Sequence, residues 1–304
     1  MARLKFKWSY IFFLFIGIMG TVMFTATKTD ETGSWHIYNR VIKSPDLKSK
    51  TFNFAGEKLP MDNEDVRERL DRELIVNTYA HSVTVLNLKR SNKYFPIIDK
   101  ILLENGLPAD FKYLAVAESN LFNATSPAGA KGFWQFMKGT ATDYGLEVNN
   151  EVDERLDLEK STIAACRFLK DTYSRFGSWS LVAAAYNMGG GRLTSEMSTQ
   201  RAANFYELNL NQETSRYFFR LVAIKEIMEK PQDYGFFLEN ADLYDPIGAM
   251  KEIVVDYPVP NWGDFAIANG SNYRELKIYN PWLLESFLTN KDRKQYIIKL
   301  PVKN

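Results

Sequence analysis

The sequence predicts a mainly α protein that ends in a small α+β module of β-α-α-β order. Two observations carry this. Between about residues 61 and 229, apolar residues recur at helical spacing and the connections are short. After Pro231 the prolines multiply (Pro246, Pro258, Pro260, Pro281), and two alternating runs, 252–257 and 295–300, read as strands around two short helical patterns, 265–269 and 273–279. Composition narrows the chemistry. With 304 residues and a net charge of +1, the chain can bury a full core and offers no dedicated nucleic-acid surface. Its single cysteine, Cys166, lies in an apolar helical context, and its histidines, His36 and His81, are far apart. Zinc or Cys/His catalysis is therefore poorly supported, no metal or cofactor is expected, and carboxylates become the proton carriers.

Taken in order, Arg3, Lys5 and Lys7 precede an apolar run over residues 8–24. At about 17 residues this run is at the lower limit for a membrane span. Basic flank and apolar run together read as a signal peptide or signal anchor over residues 1–27, which would tether or export the body. No cysteine follows, which excludes a lipid-anchored lipoprotein. Residues 28–60 are polar and read as an irregular lead-in. Helical periodicity begins at 61–88 (Val66, Leu70, Leu74, Ile75, Tyr79, Val83), with Asp62 or Asn63 as N-cap. A second helix over 93–105 buries Phe95, Ile98, Ile101 and Leu102, and Gly106 ends it.

The next helix holds the most informative residue. Phe111, Leu114, Ala115, Glu118, Leu121 and Phe122 form one apolar stripe, with a carboxylate where a leucine would fit. Pro108 suits its first turn, and Ser126-Pro127-Ala128-Gly129 ends the segment. Burial disfavours the charged form of an acid, so Glu118 is a general acid, a residue at the stripe's edge, or one paired with Arg or Lys. A short helix follows within 132–144. Asp157 caps a helix over 158–176, an alanine-rich helix over 179–188 stops at Gly189-Gly190-Gly191, and a helix over 214–229 ends before Pro231.

Four pieces, in order, resemble the lytic transglycosylases with a goose-type-lysozyme-like fold, in particular the membrane-bound lytic transglycosylase D group. They are GLPADFKYLAVAES ending at Glu118-Ser119, SPAGAKGFWQFM over 126–137, AAYNMGGGRL over 184–193, and ETSRYFFRLVAIKEI over 213–227. Together they span roughly residues 90–230. Lys138 stands where the family commonly has a proline after the Met, and Gln212 where it has one before Glu213-Thr214. The resemblance implies a lysozyme-like catalytic domain over 89–232, after a lead-in tether and N-terminal helix over 28–88. A linker and LysM-like module over 233–304 would follow, carried by Trp262-Gly263-Asp264-Phe265, Asn280-Pro281 and the closing 297–301.

The implied reaction is cleavage of the β-1,4 bond between N-acetylmuramic acid and N-acetylglucosamine in peptidoglycan, leaving a 1,6-anhydro ring. Glu118 would act as acid and then as base, which explains a motif set without a second acid. Around it the resemblance implies a substrate-binding set. Ser119 would bond the substrate or orient Glu118, with local capping as its alternative. Gln135 would reach an acetamido or backbone group, and Met137 would line a sugar subsite. Tyr186 would hold its hydroxyl near Glu118, Asn187 would shape the turn beside it, and Tyr217 would close the cleft. Phe133 and Trp134 could stack on sugars, although Trp134 fits a core. The expected protein is an exported monomer of the cell envelope whose partner is the glycan strand. A hydrolysing muramidase on the same fold and an inactive glycan-binding protein are the rivals.

Overall fold

The computed structural model of this chain describes residues 44–302. The expected export segment, 1–27, lies outside the described residues, as do residues 28–43 of the polar stretch after it. Among the described residues no helix is long and apolar enough to cross a membrane. The architecture is mostly helical with a two-stranded antiparallel sheet near the C-terminus, as the sequence predicts.

The irregular lead-in expected through residue 60 is in part ordered. Asn53–Phe54 (β1) and Glu57–Lys58 (β2) form a small hairpin. Phe52, Phe54 and Leu59 are buried, and the Phe54 ring meets those of Phe111 and Phe218 edge-on. Few apolar residues suffice because each fills a pocket in the helical core. Helix α1 (Glu64–Tyr79) starts at Asn63, whose side chain accepts from the Asp65 amide. It buries Val66, Leu70, Glu73 and Leu74, whereas Ile75, Tyr79 and Val83 remain substantially exposed. The single helix expected over 61–88 breaks at Ala80. There the Thr84 hydroxyl donates to the freed Asn77 carbonyl at 2.7 Å, and α2 (His81–Glu104) begins. The polar stretch 89–93 is half-exposed helix rather than a boundary, and Pro96 is accommodated inside α2.

A short 3-10 turn (Ala109–Phe111) leads into α3 (Lys112–Ser119). Then come α4 (Lys138–Asp143), α5 (Leu158–Phe176) and α6 (Trp179–Met188). Asp157 caps α5 as expected, accepting from the Lys160 amide at 2.9 Å. The three-glycine run does not end helical structure. Only Gly189 takes a left-handed φ, +87°, and α7 (Gly190–Gln200) restarts at once, with Leu193 as its buried residue. Helix α8 (Gln212–Glu229) is the axis of the domain. It packs on α1, α3 and α6, and buries Tyr217, Phe218, Phe219, Leu221, Val222 and Ala223 in succession, as a helix covered on most sides must. Lys138 and Gln212, the two departures from the family pattern, are the first residues of α4 and α8. Proline is favoured there because the amide it lacks has no intrahelical partner, so its replacement leaves both helix starts intact.

The C-terminal module pairs β3 (Met250–Val255) with β4 (Tyr296–Pro301), flanking α9 (Trp262–Ala268) and α10 (Tyr273–Tyr279). Its core holds Val255, Trp262, Leu276, Trp282, Ile298 and Leu300, and Val152 of the helical body joins it. Backbone bonds Asp153 N–H to Trp282 O (2.9 Å) and Leu284 N–H to Glu151 O (2.8 Å) seal the seam. Ion pairs Lys299–Glu159 and Lys294–Glu147 flank it.

Candidate active site

Glu118 occupies the last turn of α3. That helix stops sooner than the apolar stripe suggests, because Asn120 (φ +52°) and Leu121 (φ +53°) both enter the left-handed region. Asparagine tolerates this conformation; a leucine there costs about 1–2 kcal/mol. Surrounding contacts hold the turn. The Asn87 amide donates to Asn120 Oδ1 (3.1 Å), Arg90 donates to the Asn120 carbonyl (3.0 Å), and Leu121 is buried while Phe122 turns outward. Strain of this kind concentrates at functional sites.

The loop after α3 is pressed against the rest of the body. Gly132 (φ +84°) lies so close to the 3-10 turn Glu154–Leu156 that a Cβ would sit 1.9 Å from the Arg155 carbonyl oxygen. Phe133 and Trp134 are both buried, Phe133 edge-on to Tyr94 and Trp134 donating to Thr162 Oγ1 at 2.9 Å. Neither is free to stack on a sugar. Ser119 is also buried. Its Oγ lies 2.9 Å from the carbonyl oxygens of both Ala115 and Phe133, so the hydroxyl fixes α3 to this loop. Gln135 takes an unusual φ of +48°, and its Nε2 donates to the carbonyls of Gly132 (2.8 Å) and Ala124 (3.1 Å). Among the described residues its amide oxygen accepts no hydrogen bond. Met137 is exposed at the start of α4.

The hydroxyl bonded to Glu118 is that of Tyr217, donating to Oε1 from α8. Tyr186, whose hydroxyl is expected near Glu118, donates to the Trp134 carbonyl at 2.5 Å. Tyr186 still lies within the field of Glu118, and burial together with that charge keeps its hydroxyl protonated well above the usual tyrosine range. Asn187 links the third and fourth motifs, accepting from Thr214 Oγ1 (2.8 Å) and donating to Glu213 Oε1 (3.3 Å).

Burial dominates the electrostatics of Glu118. It lifts the carboxyl to about 7, against the opposing pull of the Tyr217 hydrogen bond and the Arg220 charge, while the Glu213 carboxylate pushes the same way as burial. Arg220 and Glu73 escaped the sequence reading. Glu73 is buried on α1, receives Arg216 Nε at 2.6 Å and lies 3.9 Å from Arg220 Nε. The signal was present: Glu73 interrupts the Val66-Leu70-Leu74 stripe as Glu118 interrupts its own, and Arg216 and Arg220 are one turn apart.

An acid near neutrality, hydrogen-bonded and half-buried at a helix end, can give up a proton and take one back near pH 7. Residues 96–209 match the Transglycosylase SLT domain, and residues 251–304 match the Soluble lytic transglycosylase C-terminal LysM-like domain. The chain is 32% identical over 236 residues to membrane-bound lytic murein transglycosylase D of Escherichia coli (strain K12), an alignment covering 75% of this chain and 50% of that protein. Two solved structures are also similar. One is an inactive mutant of the lytic transglycosylase Slt of Pseudomonas aeruginosa (19% identity, 50% of this chain, 26% of that chain, TM-score 0.38). The other is the 70 kDa soluble lytic transglycosylase of Escherichia coli (21% identity, 61% of this chain, 32% of that chain, TM-score 0.41). The chain spans about half the length of the curated relatives it matches. The described body is thus similar, in order along the chain, to a transglycosylase SLT domain and a LysM-like domain.

Proposed function

We propose that this protein is a peptidoglycan lytic transglycosylase of the cell envelope, with Glu118 as acid and then base. Protonated Glu118 donates to the glycosidic oxygen as its bond to the muramic acid C1 breaks. The C6 hydroxyl oxygen of the same sugar then closes on C1, and its proton returns to the Glu118 carboxylate. No water enters, and an anhydro ring results. A hydrolase of the usual kind needs a second carboxylate to activate water or to act as nucleophile. Here an intramolecular hydroxyl, held close by the sugar itself, takes that part. Tyr217 orients the acid, Ser119 fixes its helix, and Gln135, Met137, Tyr186 and Asn187 surround the place a muramic acid would occupy.

The observation that carries this reading is one carboxyl, lifted to about 7 and bonded by a buried tyrosine hydroxyl, standing where the SLT-domain match falls. Mass spectrometry of digested sacculi tests it. Muropeptides with 1,6-anhydro ends are expected. Reducing ends without the ring would make the protein a hydrolysing muramidase, and turnover retained by Glu118→Gln would remove the catalytic assignment.

A further inference from the structure

Arg155 is buried in the 3-10 turn at the seam, only 4% exposed, and its guanidinium serves two sides. Toward the C-terminal module, Nε and Nη2 each donate to Asp153 at 2.8 Å. Asp153 is itself anchored there, its amide donating to the Trp282 carbonyl at 2.9 Å. Toward the loop after α3, Nη1 donates to the carbonyls of Gly129 (3.0 Å) and Phe136 (3.1 Å). Four of its five N–H groups are thereby paired. A planar fork can clasp a carboxylate and two carbonyls at once; an ammonium on a flexible stem cannot hold all three in fixed geometry. Lys131, on the same loop, also reaches Asp153, at 3.2 Å.

The residue that this clasp governs is Gln135. Its left-handed φ of +48° persists only where the surroundings impose it. Its Nε2 is spent on the carbonyls of Gly132 and Ala124, so Oε1 is the acceptor it can present to a ligand. Ser119 holds the Phe133 carbonyl and Tyr186 the Trp134 carbonyl, both on the N-terminal side of Gln135. Arg155 holds Phe136, the residue that follows it, and so pins the strained position from the other side. We propose that Arg155 is a positioning residue: braced on the C-terminal module through Asp153, it fixes Gln135 where its amide oxygen accepts from an N–H or hydroxyl of the bound sugar. This rests on the peptidoglycan reading above.

A double-mutant cycle on soluble glycan strands tests it. Gln135→Ala and Arg155→Lys are each expected to raise KM about tenfold, the scale of one hydrogen bond. In both, kcat stays near the wild-type value, because the bond is made to the bound sugar and to the transition state alike. The double variant loses about tenfold as well, not the roughly hundredfold of two independent losses. Lys131→Ala cuts the loop's other tie to Asp153 at a partly exposed position and covers the case in which Arg155→Lys does not fold. It raises KM about threefold, the scale of an exposed ion pair, and adds nothing to Gln135→Ala. Losses that multiply in the double variants overturn the inference and leave the proposed function standing. So does a fall in kcat at unchanged KM, which a smaller folded fraction would give. Glycan strands left uncut by the wild-type chain overturn the proposed function instead.

Discussion

Two carboxylates that burial pushes toward the neutral form, one half-buried at the end of α3 and one buried at the seam with the C-terminal module, have opposite fates. Asp153 is as buried as any acid among the described residues, and burial pushes its pKa upward. Yet Arg155 grips both its oxygens at 2.8 Å and Lys131 approaches to 3.2 Å, so the net shift is downward. Glu118 has a tyrosine hydroxyl and a more distant arginine, and its net shift is upward, to about 7. Burial is common to both; the partner decides. A carboxylate clasped by a guanidinium is structural, and one left mostly to neutral partners stays available for proton transfer.

Replacing each acid by its amide breaks this comparison most directly. Glu118→Gln is expected to lower turnover on sacculi by about 10³-fold, the scale of a lost general acid. The same substitution should stabilise the fold at pH 8. Its folded pKa of about 7 stands above the ordinary 4.5, so above pH 7 the wild-type chain holds a charge it would rather release, worth up to about 3 kcal/mol at 1.36 kcal/mol per unit. That difference should vanish as pH falls from 7 toward 4.5. Asp153→Asn should do the reverse. It leaves the buried Arg155 uncompensated and costs about 3 kcal/mol at neutral pH. Since the Asp153 pKa is depressed, the loss is present above 3.8 and fades as pH drops below it. Denaturant unfolding of both variants between pH 3 and 8 measures the two slopes; slopes of the same sign would end the distinction.

Much of this was legible in the sequence, and the limits have a physical pattern. Glu118 showed itself because a carboxylate on an apolar stripe is costly, and Asp157 because a cap is a local bond between residues three apart. Which tyrosine reaches Glu118 was not legible. Tyr186 and Tyr217 both follow from the motifs, but the choice between them depends on how α8 crosses α3, and no local pattern encodes that crossing. The break at Ala80 was hidden for a related reason, since the capping bond from Thr84 to Asn77 spans a turn with no glycine or proline to mark it. Glu73 carried the same stripe signal as Glu118, and the structure pairs it with Arg216, which places it with Asp153 rather than with the acid of the site.

Tyr217→Phe sharpens the contrast at smaller scale. Its hydroxyl lowers the Glu118 pKa, so removal should carry the descending limb of the pH–rate profile above pH 7. Activity should fall by about tenfold, the worth of one hydrogen bond to a charged group. Tyr186→Phe, whose hydroxyl is spent on the Trp134 carbonyl, should leave that limb close to its wild-type position. If Tyr186→Phe moved the limb and Tyr217→Phe did not, the assignment of the two tyrosines would be reversed.

The smallest effect is the most discriminating. Glu213, bonded to Asn187 at the start of α8, raises the Glu118 pKa through its charge alone. Glu213→Gln keeps the bond to Asn187 within reach and removes only the charge. With less repulsion, Glu118 ionises more readily, so the descending limb should move to lower pH, by less than about one unit for a screened pair. The shift should shrink further in high salt. Its direction is opposite to that of Tyr217→Phe, although both substitutions delete a polar group near the same carboxyl. General damage to the site would move both limbs together or neither. Opposite displacements follow only if the proton on Glu118 is the one that the rate-limiting step consumes.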